Sequence, residues 1–261
     1  MKNIRVGFIG FGNMGSALAK GIAEAKILND GNIYYHTPSK KDVPFNYVSK
    51  LTELYSECNV IICAVKPHIA SRVLNQAEDY LHSRLLISIC AGITIEKLEE
   101  MTDSQSKIVW VMPNTPCLVG EGTFIYCNNG SVIEHDKNIL NYIFSACGKL
   151  IKLNEEYMDI GTAISGCGPA YICLFIESLI DAAVKNGLSR DVAKQLVVHT
   201  ILGTAKMVQV LDTPVQQLKD NVVSPGGVTA MGLFTLEKNR FKYAIMDAVD
   251  AAFQKSKAMN K

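Results

Sequence analysis

Three glycines, Gly10, Gly12 and Gly15, stand at G-x-G-x-x-G spacing near the start of this 261-residue chain, and glycines so spaced can cradle a phosphate. Gly10 permits a tight turn, Gly12 lets a phosphate approach bare backbone, and Gly15 lets a helix pack closely on the preceding strand. The context is right for a dinucleotide. Ile4, Val6, Phe8 and Ile9 form an apolar strand before the triplet, and Met14, Leu18, Ile22 and Ala25 keep a helical period over Asn13 to Ala25 behind it. The positive end of that helix faces the phosphates. Gly10, Phe11, Gly12, Asn13, Met14 and Gly15 are therefore the expected pyrophosphate contacts of a nicotinamide or flavin dinucleotide.

A second group of polar residues follows the strand Ile33–His36. An NAD site carries an Asp or Glu at the end of this strand for the ribose hydroxyls. Here the residues are Thr37, Pro38, Ser39, Lys40 and Lys41, hydroxyls and cations that suit a 2′-phosphate. NADP is favoured over NAD, with Thr37, Ser39 and Lys40 as contacts.

The third group lies far downstream. Ser224, Pro225, Gly226, Gly227, Val228 and Thr229 open a helix with bare backbone N–H groups and a hydroxyl, an anion-binding turn by composition. Taken alone, the same residues also make a tight helix-to-helix connection.

These groups need scaffolds. Asn59–Val65 and Leu85–Cys90 are continuous apolar runs of the kind that parallel strands buried on both faces require, and Ile108–Met112 is a third. Their ends carry Ala64, Val65, Lys66 and Pro67, then Cys90, Ala91 and Gly92, then Asn114 within Pro113–Pro116. Ligands of open α/β sheets bind at that rim. A helix over Tyr47–Glu57, another near Thr94, a strand Thr123–Cys127, a helix Asp136–Cys147 and a strand Lys149–Leu153 complete a doubly wound α/β domain over residues 1–154. Residues 155–261 read as helices: one from Met158 or Pro169 to Asn186, one from an N-cap at Ser189 to Leu211, one with Pro214 at its first position, and Phe241–Lys257. The Ala170–Val184 run is apolar nearly all round and is expected to be buried on all sides, with a second subunit supplying cover.

A net charge of +1 gives no footprint for nucleic acid. Met1 leads directly into the first strand, and Glu177 and Asp181 interrupt the most apolar later run, so neither a signal peptide nor a membrane span is expected and the cytoplasm is the expected compartment. Eight cysteines lack C-x-x-C pairs and five histidines lack ligand spacing, so reduced thiols and no metal are expected.

Gly7–Gly15, Ala64–Pro67, Met112–Pro116 with Val119–Gly122, Ser165–Tyr171, and Leu218–Asn221 with Ser224–Gly227 together resemble the pyrroline-5-carboxylate reductase family across both domains. The resemblance implies a Rossmann-type domain followed by an all-α dimerisation domain. It implies NADPH- or NADH-dependent reduction of L-1-pyrroline-5-carboxylate to L-proline, the last step of proline biosynthesis, in a homodimer commonly assembled into a decamer. It further implies that the Ser224–Thr229 turn, with Gly226, Gly227 and Val228, receives the substrate carboxylate. Thr229 hydrogen bonds to the ring nitrogen as the catalytic residue, Asn221 lies close by, and Glu155, beside Glu156 at the domain junction, joins the substrate contacts. Three positions depart from the family pattern: Cys167 replaces a usual Ser, Gly15 a frequent Ala, and Asp212 a longer acid. A β-hydroxyacid dehydrogenase needs a lysine on the first long helix of its second domain, and Lys185 is at the far end of that helix.

Overall fold

The computed structural model describes residues 4–81, 84–102 and 105–259; Met1 to Asn3 and His82 lie outside them. The chain runs β1 (Val6–Ile9), α1 (Asn13–Glu24), β2 (Ile33–His36), β3 (Asn46–Tyr47), α2 (Leu51–Glu57), β4 (Val60–Cys63), α3 (Pro67–Leu74), α4 (Glu78–Leu81), β5 (Leu85–Ser88), α5 (Ile95–Glu100), β6 (Lys107–Met112), β7 (Gly122–Asn128), α6 (Glu134–Phe144) and β8 (Gly148–Lys152). Helices α7 (Met158–Gly161), α8 (Gly168–Lys185), α9 (Arg190–Val210), α10 (Val215–Asp220), α11 (Val228–Lys238) and α12 (Phe241–Met259) follow. Two compact units result. One runs to Cys167 and takes up the chain again from Ala252; the other is Gly168–Ala251.

The first unit is built on an eight-stranded sheet of order β3-β2-β1-β4-β5-β6-β7-β8. The centre is apolar on both faces because helices cover both. Phe8, Leu18, Ile22 and Phe144 belong to the core on one side, and Leu54, Tyr55, Ile61 and Leu98 to the core on the other. β1 to β6 are parallel, but β7 runs antiparallel to β6 and β8 parallel to β7. The reason is local: the chain between β6 and β7 holds only a short 3₁₀ turn, Thr115–Val119, too little for a crossover.

Several local readings are corrected here. Tyr47 belongs to edge strand β3 and α2 starts only at Leu51, because Tyr47 pairs with Tyr35 across the sheet. Ala25 is exposed as the C-cap of α1 rather than part of its buried face. α3, which starts with Pro67 in its first turn, was not legible as a helix: its buried Ala70, Val73 and Leu74 make only a short stripe. Residues 155–167 pack with the first unit: Met158 and Ala163 are fully buried and the helix there opens into a π-turn, Thr162–Gly166. Glu155 and Glu156 lie on the first unit's side of the division at Cys167.

The second unit is all helical. Ser189 caps α9, its hydroxyl accepting from the Val192 N–H at 3.4 Å. Pro214 is the N-cap of α10 rather than its first helical residue. Within this chain α8 buries only Ile180, so the expectation of burial on all sides is not met by the chain itself; α8 packs chiefly on α9. The helical run Glu155–Lys185 covers 31 residues and is long and apolar enough to cross a membrane by length and composition. That length belongs to the whole run; Glu177 and Asp181 still interrupt its most apolar part, Ala170–Val184. The same composition serves a helix whose apolar sides are covered by a partner.

Candidate active site

The glycine turn has the geometry its spacing implies. Gly10 adopts φ +87°, and a Cβ there would lie 2.7 Å from the Ala64 carbonyl oxygen. Gly12 is the opposite case: a Cβ would meet nothing within 4 Å, so the missing side chain leaves open space over the start of α1. No side chain caps α1, and its first N–H groups are left for a ligand. At Gly15 a Cβ would stand 2.9 Å from the Gly10 carbonyl oxygen and 3.2 Å from the Ala64 Cβ, which explains glycine where the family often has Ala. The residues present thus fit a dinucleotide pyrophosphate.

Hydrogen bonds join the neighbouring strand ends into one rim. The Gly10 N–H donates to the His36 carbonyl at 2.9 Å, Ala64 N–H to Ile9 at 2.8 Å and Ile89 N–H to Cys63 at 2.9 Å. Ala64, Val65, Ala91 and Gly92 are half-buried there, while Lys66 and Pro67 are exposed. A cleft of about 260 Å³ beside this rim is lined by Ala91, Gly92, Trp110, Met112, Thr162 and Cys167. Ser39, Lys40 and Lys41 are exposed and Thr37 half-buried. Among the described residues neither lysine has an ion-pair partner, which leaves both cations available to an anionic ligand.

Two predicted rim residues are already engaged. Asn114 uses both ends of its amide: Oδ1 accepts from the Thr123 N–H at 2.8 Å and Nδ2 donates to the Ser165 carbonyl at 3.0 Å. It fixes the ends of β6 and β7 and the π-turn relative to each other. Cys90 is buried, with its sulfur 3.7 Å from Cys63 Sγ and 3.2 Å from the Val65 carbonyl oxygen, so it reaches the rim through its backbone. The Cys63 thiol is raised well above the ordinary range by its hydrogen bond with Cys90 and by burial. Burial likewise pushes Cys58, Cys127 and Cys147 up to about 12. Glu155, predicted to meet substrate, accepts from the Ile95 N–H at 2.8 Å and so caps α5 from a distance in sequence.

In the second unit the turn before α11 takes the expected form. Gly226 has φ +67°, Gly227 is the N-cap, and the Gly227 N–H donates to the Ser224 carbonyl at 3.0 Å. A Cβ on Gly227 would fall 2.2 Å from Ser224 Oγ, so the second glycine makes room for that hydroxyl. Val228 and Thr229 are exposed in the first turn of α11. Helix hydroxyls such as Thr200, Thr204 and Thr235 bond back to the preceding turn; Thr229 has no such bond among the described residues. Asn221 caps the end of α10, its Oδ1 accepting from Gln217 Nε2 at 2.8 Å.

Comparison with known proteins decides the family. Residues 155–259 match the model for pyrroline-5-carboxylate reductase dimerisation, and residues 5–92 match NADP oxidoreductase, coenzyme F420-dependent. The pyrroline-5-carboxylate reductase of Arabidopsis thaliana is 36% identical over 99% of this chain and 96% of its own. The chain belongs to the pyrroline-5-carboxylate reductase family. Pyrroline-5-carboxylate reductase 3 of Rattus norvegicus is 33% identical over 98% of this chain and 96% of its own. Among solved structures, Plasmodium falciparum pyrroline carboxylate reductase with NADP bound is 61% identical, covers 100% of both chains and superposes with a TM-score of 0.95. A pyrroline-5-carboxylate reductase from Coxiella burnetii is 31% identical over 99% of each chain, with a TM-score of 0.90. The helical half of this family member is accordingly an oligomerisation domain.

Proposed function

We propose that the protein reduces the C=N bond of L-1-pyrroline-5-carboxylate to give L-proline, with NADPH as the preferred donor and NADH as a possible one. The observation that carries this is the end-to-end likeness, at 61% identity, to the Plasmodium falciparum enzyme with NADP bound, on a chain whose glycine turn is open at Gly12.

The reduced nicotinamide supplies the hydride. The first N–H groups of α1 bind the pyrophosphate, Thr37, Ser39 and Lys40 take the 2′-phosphate, and Ala64 to Pro67 with Cys90 to Gly92 form the rim along which the cofactor lies. The backbone N–H groups of the Ser224–Thr229 turn hold the substrate carboxylate. The Thr229 hydroxyl hydrogen-bonds the ring nitrogen, so that nitrogen keeps its proton as the carbon is reduced. An imine that arrives as iminium needs no stronger acid, and orientation carries most of the acceleration. Glu155 acts through the fold, as the cap of α5, rather than on substrate. A homodimer formed through the helical units, and its further assembly to a decamer, are supported by the apolar side chains those units leave exposed. That same role accounts for the apolar Glu155–Lys185 run without a membrane. The eight free thiols suit the reducing cytoplasm.

The test is loss of reduced-nicotinamide absorbance with L-1-pyrroline-5-carboxylate, run with NADPH and NADH on wild type and Thr229→Ala. Turnover that falls about 100-fold in the variant, with cofactor affinity unchanged, is the expected result. Tight cofactor binding without turnover would remove the assignment.

A further inference from the structure

Tyr35, the third residue of β2, closes a two-bond clamp on the loop that follows its own strand. Its hydroxyl donates to the Lys41 carbonyl at 3.0 Å and accepts from the Lys41 N–H at 2.9 Å. A phenol can do both because it has one O–H and two lone pairs. The near end of the same loop is held more loosely, by the Tyr47 hydroxyl donating to the Thr37 carbonyl at 3.4 Å.

The ring that carries the clamp is itself fixed. Tyr35 is fully buried, with the Phe11 ring 4.5 Å away at 31° and the Tyr47 ring 5.5 Å away. Phe11 lies between Gly10 and Gly12. One aromatic stack therefore ties the phosphate turn to the far end of the Thr37–Lys41 loop. The loop itself presents Ser39, Lys40 and Lys41 to solvent. Left free, a chain of exposed hydroxyls and lysines would have to be ordered when an anion binds, and that ordering would weaken binding.

We infer that Tyr35 is a positioning residue for cofactor choice: by holding both backbone groups of Lys41 it fixes the loop so that Ser39 and Lys40 meet a 2′-phosphate. This rests on the reading of that loop as the NADP-selecting one. Tyr35 touches no part of the cofactor in this scheme, and its hydroxyl acts only through the backbone of Lys41.

Tyr35→Phe keeps the ring stack and removes only the clamp. Calorimetric titration with adenosine 2′,5′-bisphosphate and with AMP separates the 2′-phosphate from the rest of the nucleotide. Loss of the clamp should weaken the bisphosphate by about ten-fold, leave AMP within about two-fold, and raise the KM for NADPH but not for NADH. Equal weakening of both nucleotides would make Tyr35 a general structural residue and overturn the inference, as would no change in either. Lys40→Ala and Ser39→Ala are run in parallel: if neither alters the bisphosphate-to-AMP ratio, the loop reading itself fails. If they do and Tyr35→Phe does not, only the clamp fails. Should Tyr35→Phe not fold, Tyr47→Phe carries the test, with the same preference expected at smaller size and its absence counting against the clamp.

Discussion

The cofactor unit encloses side chains on both faces of its sheet, with Phe8, Tyr35, Leu54 and Phe144 shut off from water. In the helical unit Phe234 is 67% exposed, Leu174 64% and Met231 63%. Both units are rich in apolar residues, so composition does not separate them. What differs is geometry. A sheet offers two flat faces that the helices of its own chain can cover, whereas α8 and α9 pair with each other and leave their remaining sides open. The first unit completes its core by itself; the second leaves apolar sides open, as suits a domain of the pyrroline-5-carboxylate reductase dimerisation family.

Paired substitutions would break that comparison if it is wrong. Phe8→Ala empties a closed core and should cost about 3–5 kcal/mol, while the protein still sediments as the assembled oligomer. Phe234→Asp should instead dissociate the oligomer in sedimentation, and the Tm of the dissociated protein should lose the concentration dependence that subunit association gives the assembled one. A Phe234→Asp protein that sediments like wild type would remove the helical unit's dependence on a partner. A smaller effect sharpens the cofactor side. Gly15→Ala places a methyl group 2.9 Å from the Gly10 carbonyl oxygen and should cost about 1–3 kcal/mol while weakening cofactor binding. Thermal melting and cofactor titration read both, and a variant as stable as wild type would show that this glycine does not set the strand-to-helix spacing. The smallest effect concerns Glu155. Glu155→Ala should lower stability by about 1 kcal/mol through the lost cap on α5 and leave kcat nearly unchanged. A collapse of kcat at normal stability would return Glu155 to the substrate site.

Much of this was legible before the fold. The apolar runs that became β4, β5 and β6, the glycine turn, the Ser189 cap and the Gly226–Gly227 opening of α11 all lie in short stretches whose period or turn chemistry is set by adjacent residues. The misreadings have one source. Tyr47 looked helical until its pairing with Tyr35 was visible; the Ala170–Val184 run shows the same limit, since periodicity reports which sides are apolar and not whether the chain itself or a second subunit covers them.

The sequence by itself determined the dinucleotide turn, the two-part architecture and the family, since each depends on local spacing or on motifs in order along the chain. Only the tertiary structure decided that β7 runs antiparallel, that Glu155 caps a helix 60 residues before it, that Asn114 spends both ends of its amide inside the fold, and that the Tyr35 hydroxyl faces Lys41. Each of these is a directional bond or pairing. Its partners are brought within reach by strand order and the course of the intervening chain, and the pattern of apolar and polar residues along the chain carries no record of which donor will face which acceptor.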